Sequence, residues 1–172
     1  MPLIVSDGTG LSNADSYISL DDARTYAENY GYTLPDDNTD AEVSLRKGAV
    51  YVDLFESSFN GHRLKDTQSL VWPCVDACKC SGYNQIGIPS DEIPLEVQYA
   101  QVIAASHYAA GVAVRANNDG LGVASKEVVG AVKVSYFDNQ KTGSSIEITE
   151  AIDMLSSLLC VGSSLSIRTV RV

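Results

Sequence analysis

Three of the four cysteines, Cys74, Cys78 and Cys80, crowd into one short segment. Thiolates so close invite a zinc reading. A structural zinc takes four tetrahedral ligands, usually from paired short motifs. Here the fourth would have to be Cys160, His62 or His107, each distant in sequence. The cluster is an incomplete metal candidate and is read as a loop of small residues that are thiols. Asp36, Asn38 and Asp40 open like a calcium loop, but Ala41 stands where the turn glycine belongs and Lys47 where the bidentate glutamate belongs. Asp40 is read instead as a helix cap. Asp7-Gly8-Thr9-Gly10 has the flavour of an aspartic-protease triplet in the wrong order, without the second copy that paired carboxylates need, and is read as a turn. No phosphate-cradling glycine loop is present. Neither His62 nor His107 has a nucleophile that the sequence pairs with it. The expectation is no enzyme, no cofactor and no bound metal.

Charge narrows the remaining classes. The 172 residues carry a formal charge of −10. The segment from Asp15 to Glu42 is rich in acids and holds one base, Arg24; after Asp153 there is no acid, and Arg168 and Arg171 stand among apolar residues. An acidic body repels phosphate, which disfavours tight, sequence-independent binding of nucleic acid. Like charge still suits a wall along which DNA must slide. The chain is 45% apolar and 20% charged, enough for one cored domain. No apolar run is long enough to span a bilayer, and residues 1–10 lack a basic, then apolar, leader. The expected location is the cytoplasm or an assembly made there, with the cysteines reduced.

The elements that would position these residues are mostly helices. Ser19 and Asp22 have capping-box spacing; Leu20, Ala23, Ala27 and Tyr30 follow at helical spacing, and Gly31 is a stop. Asp40 is expected to cap a second helix through Ser57, with Val43, Ala49, Val50, Leu54 and Phe55 as its apolar face and Arg46 and Lys47 on the other side. A polar connector, 59–68, follows. The third helix is expected from Pro94 to Ala110, with Ala100, Ala104 and Ala105 admitting a close neighbour. Residues 128–137 alternate like a strand. Ser144 and Glu147 form a second capping box before a fourth helix bearing Ile148, Ala151, Ile152, Leu155, Leu158 and Leu159, ended by Gly162. The fold class expected is mainly α: a small bundle of about four helices with a minor β element over 1–163, and an extended arm over 164–172.

Between Thr67 and Gly111 the chain reads as scaffolding. Trp72, the only tryptophan, precedes Pro73; Pro89 and Pro94 frame an acidic turn before the alanine-rich helix. Proline biases the residue before it toward extended backbone, and Pro94 suits a helix start. Trp72, Pro73 and Pro94 are the expected structural anchors. Three groups of segments then resemble, in order, a known family: Leu3 to Gly10 with Asn13 to Ser19, Ala49 to Asp53, and Gln68 to Pro73 with Ile88-Pro89 and Ile93-Pro94. They are similar to tailed-phage proteins often labelled DnaT-like single-stranded DNA-binding proteins, which resemble the head–tail connectors, or adaptors, that ring the underside of a portal. The cysteine loop departs from that pattern.

The resemblance implies a homo-oligomeric ring, commonly dodecameric, between a portal and a tail or stopper protein. It implies a virion location, with double-stranded DNA passing through the lumen and no membrane. The arm offers Leu165, Ile167, Arg168, Val170, Arg171 and Val172 as the expected partner interface, docking by strand addition. The alternative is a single-stranded DNA-binding accessory of replication or recombination, a class that wants a basic groove with stacking aromatics. Nine tyrosines could stack; the charge argues against it.

Overall fold

The computed structural model describes residues 2–81, 84–111, 125–128, 132–135 and 148–159. Among them the architecture is mainly α with minor β, and four α-helices are present: α1 (Leu20–Tyr30), α2 (Asn38–Asp53), α3 (Leu95–Ala109) and α4 (Thr149–Leu155). The six strands form three antiparallel pairs, β1 (His62–Arg63) with β2 (Cys74–Val75), β3 (Cys78–Ser81) with β4 (Asn84–Gly87), and β5 (Ser125–Val128) with β6 (Val132–Ser135). The chain divides into a body, Met1–Val112 with Ile148–Val172, and a small unit, Ala113–Glu147, that holds the β5–β6 hairpin.

Local chemistry sets the helix ends. Ser19 Oγ accepts from the Asp22 N–H at 3.1 Å and its own hydroxyl donates to the Asp22 carboxylate at 2.6 Å, a reciprocal cap on α1. Gly31 closes α1 at φ 77°, a conformation glycine adopts without Cβ strain. At α2 the expected cap is corrected by three residues: Asp37, not Asp40, accepts from the Thr39 and Asp40 N–H groups. Both aspartates have the right chemistry, and the chain turns at the earlier one. Pro94 accepts the first helical bonds of α3 from Val97 and Gln98 through its carbonyl.

The core lies where α2, α3 and α4 meet. Val97, Ala100, Val102, Ile103, Ala104 and Ala105 of α3 are buried, as are Leu45 and Val52 of α2 and Ala151 and Leu155 of α4. Gly48 permits the closest approach, since a Cβ there would sit 2.4 Å from the Gln101 carbonyl oxygen and 3.1 Å from the Ala105 nitrogen. That intimacy decides which side of α2 faces in. The buried face is Ala41, Ser44, Leu45, Gly48, Ala49, Tyr51 and Val52. Val43, Val50 and Leu54, expected in the core, are exposed. At Gly48 the backbones of α2 and α3 approach too closely for any side chain, and that contact turns the side bearing Val43, Val50 and Leu54 outward.

Two further expectations are refined. Within the strand read over 128–137, the described residues 132–135 are strand β6, and β6 pairs with β5, Val128 opposite Val132 and Ser125 opposite Ser135. The fourth helix is short: α4 ends at Leu155 and the chain turns through Leu158, so Leu158 is buried from a turn and Leu159 from an antiparallel bridge to Phe59 rather than from a helix face. No side chain caps α4; the Ile148 N–H donates to the Tyr51 hydroxyl at 2.9 Å, a bond from another element. Ser144, Glu147, Gly162 and the arm 164–172 lie outside the described residues.

Candidate functional site

The polar groups that the fold brings together are mostly inside it. The Tyr17 hydroxyl donates to Asp53 Oδ1, which also accepts from the Val71 N–H at 3.4 Å. The same hydroxyl accepts from the Trp72 N–H at 3.2 Å. Burial pushes the Asp53 carboxyl up to about 6, against the lowering effect of its Tyr17 hydrogen bond. Tyr17, desolvated and facing that carboxylate, is held well above its ordinary value, so the phenol stays protonated and remains the donor.

Gln68 holds the next segment. Its side-chain amide donates to the carbonyls of Leu70 and Val71, both at 2.8 Å, and of Pro73 at 3.1 Å, while its Oε1 accepts from the Lys65 N–H. The Trp72–Pro73 peptide inside this clasp is cis. Trp72 is 1% exposed and meets Phe59 edge to face, ring centroids 5.6 Å apart. Gln101 plays the same part between helices: it accepts from the Tyr17 N–H and donates to Ser16 Oγ and the Leu45 carbonyl. Each buried amide is thus partnered, as burial requires.

Tyr17, Asp53, Gln68 and Trp72 come from the segments that carry the resemblance described above. None of the polar members is among the anchors expected from the sequence. A buried polar residue at a helix-core position is the signal that marks Gln101; for Tyr17 and Asp53 no local signal separates a buried pair from two surface residues. The shared pattern is therefore spent on holding the loop 68–73 against the helices.

The cysteine loop is a β-hairpin region. Cys74 is buried on β2 with a free thiol that desolvation pushes up to about 12. Cys78 is free and half-buried, and Cys80 is disulfide-bonded. The expectation of four reduced thiols is corrected at Cys80, and a sulfur so bonded is no thiolate ligand. Among the described residues no three histidines, cysteines or acids are grouped to hold a metal. His62 is exposed on β1; His107 is half-buried in the last turn of α3. Pro73 and Pro94 are buried beside the anchors named above. Leu165, Ile167, Arg168, Val170, Arg171 and Val172 lie outside the described residues.

On the outside, aromatic rings gather at α1. Tyr26 stacks on Tyr99 with centroids 4.0 Å apart and lies 4.5 Å from Tyr30 and 6.0 Å from Tyr32. Tyr30 is 67% exposed. Four cations of the body are engaged. Arg46 bridges Asp15 and Glu42, Arg63 forks onto Glu56, Lys79 pairs with Glu96, and Arg24 donates to the carbonyls of Pro35 and Asp36.

None of the curated proteins matches this chain, nor does any solved structure. A family model does, over residues 1–172, and its description reads "Putative DnaT-like ssDNA binding protein". Since the match runs the whole length, and the segments that build the buried clasp lie within it, the chain belongs to that DnaT-like family.

Proposed function

We propose that this protein is a structural virion component of a tailed phage: a head–tail connector that assembles as a homo-oligomeric, dodecameric ring beneath the portal, joins it to a tail or stopper protein, and lets double-stranded DNA pass. The observation that carries this reading is the charge of the body. The net charge of −10 resides wholly in residues 1–112, because acids and bases balance from residue 113 onward. Arg24, Arg46, Arg63 and Lys79 already serve carboxylates and carbonyls of the same chain. A body of this net charge repels phosphate on balance, which suits a conduit and opposes a tight grip. The arm 165–172, basic and apolar, is the proposed dock for the portal.

A second reading is single-stranded DNA binding in replication or recombination. The family description favours it over the virion reading, and the exposed Tyr30 beside Tyr26 and Tyr99 is the feature a base would stack on. Charge opposes it. The test is titration of a fluorescent single-stranded oligonucleotide at rising salt, alongside co-purification with the portal. The virion reading expects no saturable binding at physiological salt and a stable portal complex. A tight complex whose affinity falls steeply with salt, lost in Tyr30→Ala, would install the second reading in its place.

A further inference from the structure

Leu54, Val50 and Val43 share one side of α2, spaced so that each lies one or two turns from the next, with Lys47 between them. They are 45%, 60% and 41% exposed. This ridge lies opposite the buried face of the same helix, where Leu45, Gly48 and Val52 sit. Single exposed aliphatics are ordinary on a protein surface; three in register along the outer side of one helix, around one lysine, form a ridge.

A second surface, of mixed aromatic and polar character, lies on other elements of the body. Between α1 and the start of α3 runs a cavity of about 360 Å³, lined by Ile18, Asp22, Tyr26, Tyr30, Leu95 and Tyr99 among others. Tyr30 and Leu95 at its margin are 67% and 56% exposed. The residues lining it include an acid and no base. The ridge has the opposite character: Lys47 is exposed, and the ridge carries no acid.

We propose that the α2 ridge of one copy of this chain seats in the α1–α3 groove of the next, with Val50 and Leu54 against Tyr30 and Leu95 and Lys47 facing Asp22. The occupant is a second copy because the ridge's exposed cation, Lys47, and the groove's acid, Asp22, are complementary in charge on the same molecule, each beside exposed apolar side chains. The two patches are different surfaces, so the contact is head-to-tail and propagates; it closes into a ring if the rotation permits. Ridge against ridge would bring Lys47 against Lys47, and groove against groove would bring acid against acid. The inference rests on the homo-oligomeric part of the reading above and supplies the surfaces that reading needs.

The experiment uses the full chain and two variants, Val50→Glu on the ridge and Leu95→Glu on the groove. Both positions are exposed, and a glutamate at Leu95 falls in the first turn of α3, where a negative charge is favourable. Mass is read by light scattering across concentration, with helical circular dichroism and the thermal midpoint as folding controls. The wild type is expected to form a higher oligomer, and each variant alone to be monomeric. Mixed in equal amounts, the variants retain one intact ridge and one intact groove, so a one-to-one dimer that grows no further is expected. A wild type that stays monomeric at its highest soluble concentration would overturn the proposal. So would a groove variant that assembles like the wild type, which would mean a symmetric ridge contact. A ridge variant that loses stability without changing mass would assign the ridge to a segment of its own chain and also overturn it. Ring formation by ridge and groove without portal binding would sink the virion reading alone. A ring indifferent to both variants would sink this proposal and leave that reading standing.

Discussion

Asp53 is the residue at which the fold and water disagree most openly. Its carboxyl is pushed up to about 6 from an ordinary value of 3.8, chiefly because burial penalises the charged form. A folded value above the unfolded one means that the folded state holds the extra proton. The stability this confers is complete below the unfolded value and is lost as pH rises from about 4 through about 6. The wild type is therefore expected to melt higher at pH 5 than at pH 7, by about 1 kcal/mol of stability from this group. Asp53→Asn keeps an acceptor for Tyr17 and removes the titration, so its melting temperature should be flat over that window. The Glu56 carboxyl works in the other direction: Arg63 lowers it, and its contribution fades only as pH falls below its unfolded value of 4.5. Trp72 carries the apolar counterpart. Truncation to Ala removes a ring that is 1% exposed and packed on Phe59, and a loss of about 3–5 kcal/mol in chemical denaturation is expected. A variant as stable as the parent would mean that the indole contributes no net packing.

At the scale of elements, the junction of α2 with α3 sets the body. Gly48 costs α2 about 1 kcal/mol in helix propensity relative to Ala. Its replacement by Ala would recover that amount and place a Cβ 2.4 Å from the Gln101 carbonyl. The overlap is with backbone, which cannot swing aside as a side-chain tip can. Overpacking of about 1–3 kcal/mol is therefore the larger effect, and Gly48→Ala should lower the thermal midpoint. The variant also presses on the helix that carries Gln101, whose side chain ties Tyr17 and Leu45 together. A raised midpoint would show that the helices separate freely. The hairpins follow a different logic. Strands of two to four residues have little intrinsic preference and exist because a partner lies opposite, as Arg63 does for Cys74 and Lys79 for Ile86.

For the whole molecule, the buried core among the described residues runs from Ala14 to Leu159. Removal of Leu165 to Val172 is expected to leave the helical dichroism and cooperative melting intact while abolishing attachment to the portal. A truncated chain that still joins heads to tails would show that docking lies elsewhere. The sequence alone determined much of the helical frame. Ser19 with Asp22, Gly31 and Pro94 each act through bonds or backbone limits a few residues away, and their effects are legible without knowing the fold. It also determined the acidity of the body, which is a sum and needs no geometry. The tertiary structure decided which side of α2 is core, since Gly48 and the alanines face α3 and leave Val43, Val50 and Leu54 outside. It decided that Tyr17, Asp53, Gln68 and Gln101 form buried polar links, and that Cys80 is bonded while Cys74 and Cys78 are free. Those outcomes depend on partners up to 85 residues apart. Pairwise burial and hydrogen bonding arise only when the chain has already brought such residues together, and no local pattern encodes that encounter.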